Sequence, residues 1–282
     1  MKRIGVVYHP KIPAARALAE RLDQVWPTLK CTAWTCSAWD DRSMSAQCAG
    51  TDLVVSVGGD GTILRVSRAV SEAGIPILGV NLGHLGFMTE LSADNVMEKL
   101  PSVLQGEGWI DSRMMLQVDL HGRGGDEGRG EAPRPMCALN DVVVGRGAVS
   151  RVVYVRASID GVLLTVYKTD GVIVATATGS TGYALAAGGP IIFPQSEDIL
   201  LKPVSAHLTL SYPLVLPSTA VVELEVRTDH EAMISLDGQV GMPLHDGDRV
   251  VAKRSPHAAR FVRLNPPGFF YSALERRLKL RD

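Results

Sequence analysis

The run Ser56-Val57-Gly58-Gly59-Asp60-Gly61-Thr62 combines residue types that can handle a phosphate. Its three glycines remove every Cβ that would keep backbone N–H groups away from phosphate oxygens. A buried-type strand precedes it (Asp52 to Val57) and a helical stretch follows near 62–73. The N–H groups therefore fall at a helix N-terminus, where the local potential favours an anion. A carboxylate is out of place in a loop that only binds anions. Asp60 therefore points to a further role, either accepting the proton of an attacking hydroxyl or holding Mg²⁺. The sequence contains neither G-x-x-x-x-G-K-[ST] nor G-x-G-x-x-G, so Walker-type NTPases and ordinary dinucleotide-binding domains lose weight.

Three further groups carry polar chemistry. Asn140-Asp141 interrupts the apolar run ALNDVVVG. Adjacent polar residues in such a run need partners, and strand alternation points them to opposite faces. One can read a base or ribose while the other caps a turn; alone, the pair reads first as a satisfied strand end. Thr169 to Pro190 (TDGVIVATATGSTGYALAAGGP) places Asp170-Gly171 before a buried strand and Thr178, Gly179, Ser180, Thr181, Gly182 and Tyr183 after it. Glycine permits close approach, hydroxyls bond phosphate or ribose, and Tyr183 offers a stacking face. Ser235-Leu236-Asp237-Gly238-Gln239 is by itself a strand ending in an ordinary Asp-Gly turn. There is no G-x-S-x-G and no H-E-x-x-H. Of seven histidines only His84, between Gly83 and Gly86, stands in suggestive company.

These residues need elements to hold them. Ile4 to Tyr8 reads as a short buried strand, followed by a helix with Leu18, Leu22 and Val25 on one face. With Asp52–Val57, the helix after it and the strand Ile75–Val80, the alternation predicts a parallel α/β layer over about the first 100 residues. Residues 30–50, with Trp34 and Trp39, receive no assignment. Beyond Gln105–Asp111 the segments turn β-like: Met114–Leu120, Ala138–Val144, Val152–Ile159, Val162–Tyr167, Val172–Thr176, His207–Tyr212, Val221–Thr228, Met233–Leu236, Arg249–Lys253 and Arg260–Leu264. Many short strands separated by turn signals predict a sandwich. The expected organisation is an α/β domain at 1–105, a β-sandwich domain at 106–265, and a tail at 266–282 whose helix, Tyr271–Leu280, packs back on the body. The glycine-rich stretch 121–135 is expected to be a solvated loop with no assigned role.

Composition narrows the function class. The 282 residues carry 29 Lys+Arg against 30 Asp+Glu, a net charge of −1. No overall field draws the chain to nucleic acid or to an anionic membrane, and neither is expected as a partner. Cys31, Cys36, Cys48 and Cys137 form no C-x-x-C, so free thiols in a reducing compartment are expected. The opening MKRIGVVYHP is too short in its apolar run for a signal peptide, and no 18-residue apolar stretch occurs. A soluble cytoplasmic protein is expected.

Taken together and in order, GGDGT at 58–62, NLGHLGF at 81–87, ALND at 138–141, TDG at 169–171, TGSTGYALAAGGP at 178–190 and DGQ at 237–239 resemble the bacterial NAD kinase family, over about Ile4 to Leu264. The resemblance implies an N-terminal α/β domain, a C-terminal β-sandwich and a site between them. It implies transfer of a terminal phosphoryl group from ATP or polyphosphate to the adenosine 2′-hydroxyl of NAD, giving NADP, with Mg²⁺ or another divalent cation carried by the donor. On it, Asp60 matches the catalytic aspartate, proposed as the base. Gly58, Gly59, Gly61 and Thr62 match the donor loop, Asn140 and Asp141 the pair that binds adenosine, and Asp170 an aspartate near the dinucleotide. Thr178, Thr181, Gly182, Tyr183, Ala184, Leu185 and Ala186 match the adenine and ribose loop, and Gln239 a glutamine near the ligand. Arg151 and Lys168 fall at less well-defined contact positions. A homodimer or homotetramer is implied. Many relatives carry Asn-Glu where this chain has Asn140-Asp141, a carboxylate one methylene shorter here. Two other readings stand beside this one: a lipid or sugar kinase sharing the G-G-D-G loop, and a sensor that binds NAD(P) without turnover.

Overall fold

The computed structural model describes residues 3–83, 86–122, 135–147, 151–206 and 210–279, the last five of these by their backbone. The chain divides into two compact units, 1–112 with 258–282, and 113–257.

The first unit begins with β1 (Arg3–Tyr8), whose four central residues are buried. Pro13 opens α1 (Pro13–Val25), where its missing N–H costs nothing. Ala15, Leu18, Ala19 and Leu22 then form the helix's buried stripe. The segment without a sequence assignment resolves into β2 (Thr32–Ser37) and α2 (Asp41–Gln47). The Asp40 side chain caps α2 by accepting from the Ser43 N–H at 3.0 Å. Next come β3 (Leu53–Val57), wholly buried, α3 (Asp60–Val70), β4 (Ile77–Asn81), the short β5 (Leu91–Ser92) and α4 (Val96–Leu104). Strands run parallel in the order β2-β1-β3-β4, with Ile4 opposite Leu53 and Val54 opposite Ile77. Chain order reverses between β1 and β3. In open parallel sheets the carboxyl ends of the strands at such a reversal are where ligands bind.

The second unit takes up the chain with β6 (Trp109–His121), which starts in the first unit, and continues with β7 (Met136–Ala138), β8 (Asp141–Arg146), β9 (Val153–Ile159), β10 (Val162–Thr169) and β11 (Gly171–Thr176). A 3-10 turn (Gly179–Thr181) and the single-turn α5 (Tyr183–Ala186) follow. Then come β12 (Ile199–Val204), β13 (Leu214–Leu216), β14 (Val222–Arg227), β15 (Ala232–Leu236), β16 (Val240–Leu244) and β17 (Arg249–Arg263). One antiparallel sheet has the order β13-β12-β11-β8-β15-β16; opposite it β10, β9, β14 and β17 pair in that order. Between them lies an aliphatic core that includes Leu116, Val142, Val155, Val174, Leu201, Leu224 and Ile234. This unit is all-β.

Three expectations change. No strand forms at 210–212, and 207–209 lie outside the described residues. The strands there are β12 and β13 instead, the first hidden in the sequence by Lys202 and Pro203. Pro203 lies beyond Leu201, the last residue of β12 paired with β13, a position where a strand tolerates proline. The two strands expected at 249–253 and 260–264 are one, β17, carrying an exposed Pro256. β17 then re-enters the first unit, where Phe261 pairs with Ile77 of β4, and α6 (Phe269–Lys279) follows.

Candidate active site

In the first unit the carboxyl end of β3 delivers Gly58 and Gly59, and α3 begins at Asp60. The turn is tight. A Cβ on Gly58 would lie 2.3 Å from the Thr62 hydroxyl oxygen, so only glycine passes. Gly59 and Gly61 are exposed, and a Cβ on Gly59 would meet nothing within 4 Å. Thr62 is instead buried, its Oγ1 without a hydrogen-bond partner.

Asp60 is held from across the loop after β4. Its Oδ2 accepts the Phe87 N–H at 2.9 Å and its Oδ1 the Met88 N–H at 3.1 Å. Two bonds to separate oxygens fix the plane of the carboxylate, which has about four acceptor positions. Gly86 makes the approach feasible, since a Cβ there would stand 2.0 Å from Asp60 Oδ1. The Gly86 N–H in turn donates to Thr89 Oγ1 at 2.8 Å. Thus NLGHLGF positions the carboxylate of GGDGT, with Asp60 and Phe87 27 residues apart in sequence. His84 lies outside the described residues.

The second unit brings Asn140, Asp141 and Tyr183 around an open cleft of about 330 Å³, together with Val143, Ser235, Asp237 and Gly238. Asp237 organises it. Its carboxylate accepts from the backbone N–H groups of Asn140 at 2.7 Å, Leu139 at 3.2 Å and Asp141 at 3.3 Å. Its own N–H donates to the Asp141 carbonyl at 2.9 Å. To do this Asp237 takes a left-handed φ of 53°, followed by Gly238 at 64°, a pair that Asp-Gly tolerates. Asn140 Oδ1 is buried without a hydrogen-bond partner. Asp141 is 5 % exposed. Burial, reinforced by the neighbouring Asp237 charge, pushes its carboxyl up to about 7.

The turn after β11 closes against this pair. Thr176 Oγ1 donates to the Leu139 carbonyl at 2.6 Å and accepts the Gly179 N–H at 3.1 Å. A Cβ on Gly179 would fall 2.0 Å from the Asn140 carbonyl oxygen. Gly182 lies next to Asn140 and Asp141 as well. Thr181 Oγ1 donates to the Thr178 carbonyl, and the Thr178 hydroxyl accepts from the buried Arg113 at 3.3 Å. Tyr183 is 48 % exposed at the cleft. Ala184 turns into a small core with Ile173, Ala175 and Leu200, while Leu185 is partly exposed and Ala186 exposed.

Other expected residues stand apart from the cleft within this unit. Asp170 precedes β11 at its far end, paired with Arg146 at 3.5 Å. Four residue steps separate the Gly171–Gly145 pair from Ala175–Asp141, roughly 13 Å along a strand. Lys168 lies on β10, its Nζ 6.0 Å from the Tyr154 ring. Arg151 is exposed and its charge bears on Asp229. Gln239 sits two residues past Asp237 in the same hairpin turn. Sequence reasoning missed Gly86, Arg113 and Asp237. For Asp237 the signal was present in DGQ, but a turn and a clamp share the same two letters.

Among the described residues no three His, Cys, Asp or Glu gather as a metal site, and no helix is long and apolar enough to cross a membrane. Mg²⁺ commonly binds through one or two carboxylates plus substrate phosphates. Asp60, beside the exposed Gly59 and Gly61, fits that mode.

Two family models match the chain: the ATP-NAD kinase N-terminal domain over residues 8–108 and the ATP-NAD kinase C-terminal domain over 139–264. An NAD kinase of Dehalococcoides mccartyi is 44% identical over 278 residues, 99% of this chain and 96% of that protein. One from Chloroflexus aurantiacus is 42% identical over 284 residues, 99% of each. Among solved structures, an NAD kinase from Archaeoglobus fulgidus in complex with ATP is similar at TM-score 0.76 and 26% identity, covering 97% of this chain and 98% of that one. Yeast NADH kinase complexed with NADH shares the fold at TM-score 0.81 and 23% identity, covering 100% and 89%.

Proposed function

The chain belongs to the NAD kinase family and is a phosphotransferase, and from that premise we propose that it transfers the terminal phosphoryl group of ATP to the adenosine 2′-hydroxyl of NAD, giving NADP and ADP. The observation that carries the reading is the fixed Asp60 carboxylate beside exposed glycines at the start of α3. A divalent cation accompanies the donor and supplies charge neutralisation on the phosphate oxygens. Polyphosphate is a second donor to be tested.

In this reading the 2′-oxygen bonds to the γ-phosphorus as the bond to the β,γ-bridging oxygen breaks, and ADP leaves with that electron pair. Such a transfer needs positioning and charge neutralisation more than covalent chemistry. Asp60 orients the 2′-hydroxyl and takes its proton late in the transfer, its own plane held by the Phe87 and Met88 N–H groups. Gly59 and Gly61 let the start of α3 face the donor phosphates closely. Asn140, with an unpartnered buried carbonyl oxygen, and Asp141 receive the adenosine, and Tyr183 lies against its base. Self-association into a dimer or tetramer belongs to the same proposal.

A coupled assay tests it. Protein, NAD, Mg²⁺ and either ATP or polyphosphate are incubated, and NADP is read with an NADP-specific dehydrogenase. Asp60→Asn keeps one of the two side-chain oxygens that accept the Phe87 and Met88 N–H groups, so NAD binding is expected to hold while turnover falls about 10²-fold or more. Near wild-type turnover in Asp60→Asn removes the base and metal roles. NAD binding without NADP from either donor favours the sensor reading, and absence of NAD binding moves the search to lipid and sugar acceptors.

A further inference from the structure

The carboxyl ends of β1 and β2, together with α3, carry a cluster that the reaction above leaves unused. Trp39 follows β2 and is 42 % exposed. The Arg65 guanidinium lies over its indole, 4.5 Å from the ring centroid. The His9 ring meets it at 72°, with centroids 4.7 Å apart. All three residues stand beside the donor loop. The His9 N–H donates to the Val57 carbonyl at 3.0 Å, and a Cβ on Gly58 would lie 3.3 Å from His9 Cβ. Arg65 is one turn beyond Gly61 on α3, so its side chain leans back toward the start of that helix. The Ala38 N–H donates to the Tyr8 carbonyl at 2.9 Å, fixing the residue before Trp39 to the end of β1.

We propose that Trp39, stacked on Arg65 and flanked by His9, is the platform for the nucleobase of the phosphoryl donor. The inference rests on the kinase reading above and adds where the donor's base goes. Phosphates held at the exposed Gly59 and Gly61 lie about one helical pitch, ~5.4 Å, from the level of Arg65. A base reaching past them meets an aromatic–guanidinium stack already assembled. Purines stack on indole and on guanidinium planes alike. The location is also the sheet's order reversal, where a mononucleotide lies in other folds with this strand order. Nucleic acid is a poor occupant, because the net charge of −1 supplies no field for a polyanion. A cluster that only braced α2 and α3 would have no reason to distinguish a nucleoside triphosphate from a bare triphosphate.

That difference is the test. ATP and inorganic tripolyphosphate are titrated calorimetrically into wild type and Trp39→Ala, with saturating NADP present to occupy the acceptor cleft without turnover. Trp39→Ala is expected to weaken ATP about tenfold and to leave tripolyphosphate within twofold. Trp39→Phe, which keeps a stacking face, should recover most of the ATP affinity. An ATP affinity within twofold of wild type in Trp39→Ala, or an equal loss for both ligands, overturns the proposal. The coupled NADP assay on wild type is read separately. Trp39-dependent ATP binding with no NADP formed would keep the nucleotide platform and remove the acceptor assignment.

Discussion

Asp141 and Asp237 show how two identical side chains take different work from their surroundings. Asp237 commits its oxygens to three backbone N–H groups and shapes the turn at 139–141. Asp141 is buried beside it and loses hydration, so its carboxyl stays partly protonated near neutrality, at about 7. The ordinary carboxyl titrates near 3.9. Between those values the native protein holds a proton that the unfolded chain has released. Stability contributed by that proton is present at low pH and declines as pH rises toward 7, by at most about 1.4 kcal/mol per pH unit. Asp141→Asn carries no such charge, so its stability relative to wild type should grow from pH 4 to pH 7 and then level off. Urea denaturation across that range reads the difference; parallel curves for the two proteins would remove the assignment. Asp141 was visible in the sequence as a polar residue in an apolar run. Its shifted titration was not, because that depends first on burial by strands distant in sequence and second on Asp237, which the pairing of Leu236 with Val142 brings alongside.

Within each unit the elements around the candidate residues meet through glycine. Gly179 touches the Asn140 backbone and Gly86 the Asp60 carboxylate, each where a Cβ would stand 2.0 Å away. Gly179→Ala must move the turn after β11 off Asn140, which costs about 1–3 kcal/mol as overpacking. Its Tm should fall by several degrees and its KM for NAD should rise with the donor's KM unchanged. An unchanged melting curve would show that the turn yields without cost. The loop TGSTGY was legible because small and hydroxyl residues cluster between two apolar runs. Other elements were not. α4 contains Pro101, a residue that normally breaks a helix interior. β2 is poorly buried along most of its length, so it lacks the apolar pattern of β1 and β3. β17 joined two apolar segments across Ser255-Pro256, where the sequence reads as a break. Periodicity reports burial, and an edge or a proline-bearing strand is held by its neighbours' hydrogen bonds instead.

At the scale of the whole chain, the first unit is assembled from separated pieces, 1–112 and 258–282. The seam is polar and buried. Arg263 donates from Nε to Asp111 Oδ2 at 3.0 Å and from Nη1 to the Met88 carbonyl at 2.8 Å, and Nη1 lies 3.4 Å from Glu90 Oε2. Glu90 Oε1 accepts the N–H groups of Leu264 at 2.8 Å and Asn265 at 2.7 Å. Asp111 is 1 % exposed, so removing the guanidinium leaves buried negative charge behind. Arg263→Ala should cost about 3–5 kcal/mol in chemical denaturation; a loss under about 1 kcal/mol would show that the seam closes without it. The Met88 carbonyl ties this seam to the same loop whose N–H groups hold Asp60. For a chain emerging from a ribosome, the consequence is one of timing. Residues 3–112 leave the ribosome before 258–264, the segment that sets Phe261 beside Ile77 and Arg263 against Asp111, and the whole of the contiguous β unit comes between. At about 5–20 residues per second that interval is roughly 7–30 s. Of the two units, the one begun first is thus expected to complete its packing last, with Glu90, Asp111 and the Ile77 end of β4 uncovered in the meantime.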